Sequence, residues 1–216
     1  MQLTKQSVKE LNMNYDLSEI QKEALLELLN IGVNESTNIL SEILNVEIDL
    51  QIPSIKIISA DKLIEELQEV GKENYSAVNM EFRNSFSGVS QLVFSQDSAN
   101  KLVDVFTRQV LGNGDFDEIK AGALIEIGNI ILNAILATFS NALEHEFQFY
   151  VPVFFENYKK EFFEQREKYI GEVVLLGKTL FNIEQYHISG DIILYFNIKS
   201  FNYFVNLIDQ YVKKIS

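Results

Sequence analysis

Cysteine and tryptophan are missing from this sequence, and proline and histidine occur only twice each. Without cysteine there is no disulfide frame, no thiolate zinc site and no thiol nucleophile. The two histidines, His145 and His187, cannot alone supply a structural metal site. Basic residues are the minority: 18 Lys and Arg stand against 31 Asp and Glu, a formal net charge of −13. The balance argues against a nucleic-acid binder, which needs clustered Lys and Arg along the phosphate backbone. It also argues against docking to an anionic membrane surface. A long hydrophobic run is missing too. The longest uncharged segment, Ile127 to Leu143, has 17 residues and carries Asn129, Asn133, Thr138, Ser140 and Asn141. A spanning helix needs about 20 mostly apolar residues, so this segment reads as a buried helix without membrane insertion. Residues 1–16 are polar and hold no apolar core of signal-peptide length. The expectation is an N-terminal extension over 1–16, a single domain over 17–216 and a cytoplasmic location.

What is present is a globular composition, with 47% hydrophobic residues, and an internal repeat. Glu27, Asn30 and Pro53 recur as Glu126, Asn129 and Pro152, each triplet offset by 99 positions. In both copies two residues separate Glu from Asn and 22 separate Asn from Pro. Glu-x-x-Asn by itself is common here, occurring five times, but both prolines of the chain fall at the same distance from one. Asn34 and Asn133, Ser41 and Ser140, and Leu44 and Leu143 agree at the same offset, and Gly88, Phe94, Ser98 and Asn100 return as Gly190, Phe196, Ser200 and Asn202 at offset 102. Fixed-period self-similarity is read before any local pattern, because it determines the architecture. The chain therefore reads as two repeats, about 17–112 and 113–216, with the boundary at Gly112-Asn113-Gly114-Asp115.

Each repeat presents the same order of elements. Ser18 is placed to cap a helix over Ile20, Ala24, Leu28 and Ile31, which Gly32 is expected to kink or break before it resumes to Asn45. A short strand over Val46–Leu50 is expected to stop near Pro53, with another apolar run at Ile55–Ile58. A small helix over Asp61–Val70, capped by Gly71, precedes a hairpin of Ala77–Phe82 and Gly88–Ser95. Asp97 is expected to cap a helix to Leu111. The second repeat reads as a helix from Asp117 to Glu144, a strand over Phe147–Val151, an exposed helix over Tyr158–Lys168, strands over Glu172–Leu176 and Ile188–Ile198, and a helix over Phe201–Val212. The fold class is α+β, two pseudo-symmetric helix–strand–strand halves with mostly antiparallel sheet.

Glu27 and Asn30 lie three apart and so share a helix face, extended one turn each way by Glu23 and Asn34. In the second copy the stripe is Gly122, Glu126, Asn129 and Asn133. A carboxylate here can pair with a cation on a partner. A carboxamide offers both donor and acceptor, so it can orient a water without taking its proton. Positioning of water is how some phosphoryl hydrolases promote attack. Asp115, Asp117 and Glu118 lack the spacing of a calcium loop and fit a helix N-terminus. His145 and His187 have no nucleophile arranged around them.

The doubled Glu-x2-Asn-x22-Pro, with Asn30-Ile31-Gly32, Leu40-Ser41 and Ala123-Leu124-Ile125-Glu126-Ile127-Gly128-Asn129-Ile130 around it, resembles the signature of the CheC/CheX/FliY phosphatase family over residues 17–216. Two copies without a further flagellar-switch domain look most like its CheC branch. The resemblance implies two motif-bearing helices side by side. It implies hydrolysis of the aspartyl phosphate on a CheY-type response regulator, Glu27 and Glu126 pairing with a regulator lysine and Asn30 and Asn129 orienting the attacking water. Glu23, Asn34 and Asn133 would add partner contacts, and Pro53 and Pro152 would be structural. It implies no cofactor or metal of the chain's own, the Mg2+ residing on the regulator. The family pattern has Asp or Ser four residues before the Glu, where this chain has Glu23 and Gly122. It also prefers small residues after the first Asn, where Val33-Asn34-Glu35 stands. These departures keep open the alternative of a non-catalytic adaptor for a receiver domain or a CheD-type deamidase.

Overall fold

The computed structural model describes residues 17–68, 75–110, 116–157, 172–183 and 186–215. In chain order the elements are α1 (Glu19–Leu44), β1 (Ile48–Ser59), α2 (Ala60–Gln68), β2 (Tyr75–Asn84), β3 (Gly88–Ser95), α3 (Gln96–Val110), α4 (Phe116–Leu143), β4 (Phe147–Phe149), β5 (Val153–Phe155), β6 (Glu172–Ile183), β7 (Tyr186–Asn197) and α5 (Ile198–Ile215). Every strand pairing is antiparallel.

The sheet runs β1-β6-β7-β3-β2-β4, with β5 also on β2. Exchanging β1 with β4 and β5, β2 with β6, and β3 with β7 reverses this order onto itself. The repeat is therefore a pseudo-twofold, and it is interleaved. The first strand of each repeat joins the hairpin of the other: β1 pairs with β6, and β4 and β5 pair with β2. Neither repeat completes its sheet from its own residues.

Strand alternation splits the core. Val173, Leu175, Phe181 and Ile183 of β6 face the layer made by α1, α3, α4 and α5. Val174 and Leu176 face the opposite side, where Ala60 and Leu63 of α2 cover Tyr75, Ala77, Val93, Ile193 and Tyr195. On the helix side Phe82, Phe86, Phe147, Phe196 and Phe204 make an aromatic knot, with Phe196 stacked on Phe204 at 5.1 Å. Each such pair adds about 1 kcal/mol beyond the area it buries.

α1 starts at a capping box: Gln21 N donates to Ser18 Oγ (3.3 Å) and Ser18 N to Gln21 Oε1 (2.7 Å). It ends at Asn45 with φ 48°, and α4 is followed by Glu144 with φ 55°, the same left-handed stop one repeat later. Four expectations are corrected. Gly32 does not break α1, which runs on from Glu19 to Leu44 with Gly32 buried in mid-helix. Pro53 does not end a strand, because β1 continues to Ser59 with a register break between Gln51 and Ser54. The helix after β3 starts at Gln96, and its first turn is capped by Ser95, whose Oγ accepts from Ser98 N at 3.2 Å. β6 runs 12 residues, well beyond the expected Glu172–Leu176, whereas β7 (Tyr186–Asn197) meets the expected Ile188–Ile198 within two residues. Gly71, the Gly112–Asp115 boundary and the Tyr158–Lys168 helix lie outside the described residues.

The stretch Ile119–Leu143 of α4 is long and apolar enough to cross a membrane by length and composition. Here it packs on α1 and on the sheet, with 56% of its most apolar stretch buried. A Cβ on Gly128 would meet Val78 of β2 at 2.6 Å.

The α2 face of the sheet holds two strained carboxylates. Burial pushes the carboxyl of Asp191 up, only partly opposed by Lys178 Nζ at 3.9 Å, and burial likewise raises Glu172. A carboxyl whose folded pKa is raised binds its proton more tightly in the fold than in the unfolded chain. Its stabilising contribution is present below the unfolded value and is lost as pH rises through the folded one. Asp191→Asn is therefore expected to raise the melting temperature relative to wild type at pH 8, the gap closing as the pH falls towards 4. Thermal melts across that range check it, and a gap that widens on acidification contradicts it.

Candidate functional site

The two motif helices touch backbone to backbone. A Cβ on Gly32 of α1 would lie 2.6 Å from Ile135 Cα and 3.1 Å from Ala134 O of α4. Such closeness needs a residue without a side chain at the crossing. It sets α1 and α4 side by side, each with its Glu exposed and its Asn half-buried. Leu25, Leu28, Leu29 and Val33 of α1 are buried, as are Ala123, Leu124, Ile127 and Ile131 of α4. Glu23, Glu27 and Asn34 are exposed on the first helix, and Gly122 and Glu126 on the second. Asn30, Asn129 and Asn133 are half-buried. Among the described residues neither the Glu27 nor the Glu126 carboxylate has a hydrogen-bond or ion-pair partner. Both are open to a cation from outside.

The two asparagines differ. Asn30 Nδ2 donates to Ile52 O (2.9 Å) and to Leu26 O (3.0 Å), and Asn30 Oδ1 accepts from Ile52 N (2.9 Å). Ile52 and Pro53 sit in the register break of β1, unpaired with β6. The Asn30 carboxamide thus replaces the missing ladder partner of Ile52, whose N–H and C=O would otherwise be buried without one. This is the physical content of the 22-residue spacing: Asn30 reaches the strand at the residue before Pro53, where proline has no N–H to continue the ladder.

In the second copy the corresponding strand is split into β4 and β5, with Val151 and Pro152 between them. Val151 is 84% exposed, whereas Ile52 is 2% exposed. Asn129 does not reach that strand. Its Oδ1 accepts from Asn133 Nδ2 at 2.7 Å, one turn on, and among the described residues this is the bond its carboxamide makes. The doubled motif gave no sign of this difference. Only the burial of Ile52 against the exposure of Val151 separates the copies.

Other positions fall as follows. Gly122 is exposed, and a Cβ there would meet nothing within 4 Å. Glycine costs about 1 kcal/mol in a helix interior relative to alanine and about half that relative to serine. Gly122→Ser is expected to raise stability by ~0.5 kcal/mol, checked by urea denaturation. A loss of stability would show that the site is not open. His145 is held by Leu143 O at Nδ1 and by the Tyr203 hydroxyl at Nε2 (2.9 and 2.8 Å), tying the end of α4 to α5. His187 Nδ1 lies 2.9 Å from Asn182 Oδ1. Among the described residues no three His, Asp or Glu side chains come together as metal ligands.

No family model matches the chain. Curated relatives do, among them two from Bacillus subtilis. The flagellar motor switch phosphatase FliY of Bacillus subtilis is 31% identical over 120 residues, covering 56% of this chain and 28% of that protein. The CheY-P phosphatase CheC of the same organism is 25% identical over 132 residues, covering 58% of this chain and 61% of that protein. Over this domain the chain is similar to members of the CheC/CheX/FliY family. Solved structures share its fold. FliY of Thermotoga maritima superposes with TM-score 0.69 at 18% identity, over 93% of this chain and 99% of that one. CheX from the CheX–CheY–BeF3–Mg2+ complex of Borrelia burgdorferi superposes with TM-score 0.52 at 17% identity, over 80% and 99%. The α+β architecture with an antiparallel sheet is thus the fold of these structures. The chain spans less than two thirds of either curated relative, so the matches speak for this domain.

Proposed function

We propose that the chain hydrolyses the aspartyl phosphate of a CheY-type response regulator in the cytoplasm. The observation that carries this reading is the α4 face. An unpaired, exposed Glu126 stands one turn before Asn129, whose carboxamide is held from one side and keeps its N–H donors available. A regulator lysine would pair with Glu126 and fix the register. Asn129 would then place a water in line with the phosphorus, donating to its oxygen while the second lone pair of Oδ1 accepts one of its protons. Glu27 offers a second carboxylate of the same kind on α1. Mg2+ would belong to the regulator and neutralise the phosphoryl oxygens. Two relatives described as phosphatases and a CheX captured with CheY support the reading.

The test is phosphate release from phosphorylated receiver domains with Mg2+, with and without the chain. Acceleration that is lost on combining Asn30→Ala with Asn129→Ala supports it. No acceleration with any receiver encoded alongside the chain rejects it. One observation favours the second reading, a non-catalytic adaptor for a receiver or a CheD-type deamidase: the Asn30 carboxamide is already engaged. Complex formation without faster dephosphorylation would establish that alternative.

A further inference from the structure

We propose that the two motif copies have divided their roles: Asn129, oriented by Asn133, is the water-positioning amide, and Asn30 is a clamp that fastens α1 to the edge strand β1. This rests on the phosphatase reading and goes beyond it, because the Glu-x2-Asn-x22-Pro motif itself is the same in both copies.

The argument starts from hydrogen-bond capacity. A carboxamide has two N–H donors and two acceptor lone pairs. Asn30 spends both donors, on Leu26 O and Ile52 O, and one lone pair, on Ile52 N. To serve a water it would have to release Ile52, which is 2% exposed and has no ladder partner in the register break. Asn129 spends one lone pair, on Asn133 Nδ2. The Asn133 bond does more than occupy that lone pair. A side-chain amide that turns about χ2 presents oxygen or nitrogen with little preference. With Asn133 turned so that its Nδ2 faces Asn129, the bond selects the orientation in which Oδ1 faces Asn133 and the NH2 faces outward. Asn133 is thus a positioning residue that acts through Asn129. Its first-copy counterpart, Asn34, makes no such bond to Asn30, which is held by the strand instead.

The division explains the strand geometry. Where the asparagine clamps the strand, the strand is continuous and Ile52 is buried. Where it does not, β4 and β5 are separate and Val151 stands out in solvent.

Two kinds of measurement separate this inference from the reading beneath it. The first needs no activity. In the 15N-labelled chain with assigned side-chain amides, the Asn30 NH2 protons are expected to exchange slowly and those of Asn129 rapidly. Asn133→Asp, which replaces the donor with an acceptor of the same shape, is expected to shift the Asn129 amide resonances by reversing its orientation. Equal protection of the two amides, or an unmoved Asn129 signal, overturns the division. The second is kinetic, on a phosphorylated receiver that the wild-type chain dephosphorylates. Asn133→Asp and Asn133→Ala are expected to lower kcat about tenfold with KM within about twofold, the mark of an interaction made in the transition state. Melting within a few degrees of wild type excludes a merely structural effect. Asn30→Ala is expected to lower the melting temperature well below that of Asn129→Ala. A folded Asn30→Ala that loses as much kcat as Asn129→Ala overturns the inference and leaves the phosphatase reading standing. A wild-type chain that accelerates no receiver removes the phosphatase reading and the catalytic half of the division with it, while the exchange data still decide the clamp.

Discussion

Asn129→Ala lowers kcat for phosphate release from the receiver by about 100-fold or more, with KM little changed. A 100-fold loss corresponds to about 2.7 kcal/mol of barrier. That magnitude suits the removal of a group that orients the nucleophile, since phosphoryl transfer leaves the catalyst little to do beyond positioning and charge stabilisation. The variant should fold normally. Asn129 is half-buried and its one hydrogen bond runs to a neighbour on the same helix, so its loss leaves no buried backbone group without a partner. Glu126 differs in kind. It is exposed and unpaired, so truncating it removes a docking contact and should appear mainly in KM. Single-turnover measurements at saturating chain separate the two. If Asn129→Ala moves KM and spares kcat, the water-positioning role is wrong.

Gly32→Ala destabilises the chain by about 2–3 kcal/mol, although alanine is the better helix former by about 1 kcal/mol. The added methyl would sit 2.6 Å from Ile135 Cα and 3.0 Å from Ile135 N. These are backbone atoms in the middle of α4, which no rotamer change can move aside. α1 and α4 would have to separate at a crossing where the neighbouring Val33 and Ser36 of α1 are fully buried. The expected fall in melting temperature is roughly 5–10 °C for a chain of this size. Gly122→Ser, on the open face of α4, is the matched contrast and moves the other way. A neutral Gly32→Ala would mean that the helices are not in backbone contact.

Particular residues show how far the sequence could be read. Ser18 announced the start of α1 because an N-cap is a local device, and the structure completes it into a capping box with Gln21. The hairpin of β2 and β3 followed from alternation at Val78, Met80 and Phe82. Gly32 was misread because glycine in a helical pattern has two meanings, a weak point or a close approach. The partner that decides between them, Ile135, lies more than a hundred residues away. Pro53 was misread for a related reason. Its missing N–H does interrupt a ladder, but whether the strand ends there depends on what takes up the groups of Ile52, and Asn30 does so from another element. Ser95 was passed over as a cap in favour of Asp97, two positions on, within the precision of any local reading of a helix start.

The sequence by itself determined the duplication, the fold class, the family resemblance and the residues from which a site could be made. Each of these is carried by spacing and residue type along one chain. Only the tertiary structure decided that the repeats are interleaved, because strand partners are chosen by complementarity across the sheet and not by order in the chain. It alone decided that the two asparagines are unequal, because equivalence in sequence does not specify what each carboxamide meets. Asn30 meets a buried strand with two unpaired backbone groups and is held by them. Asn129 meets Asn133 and solvent, and so keeps the N–H groups that a water would use.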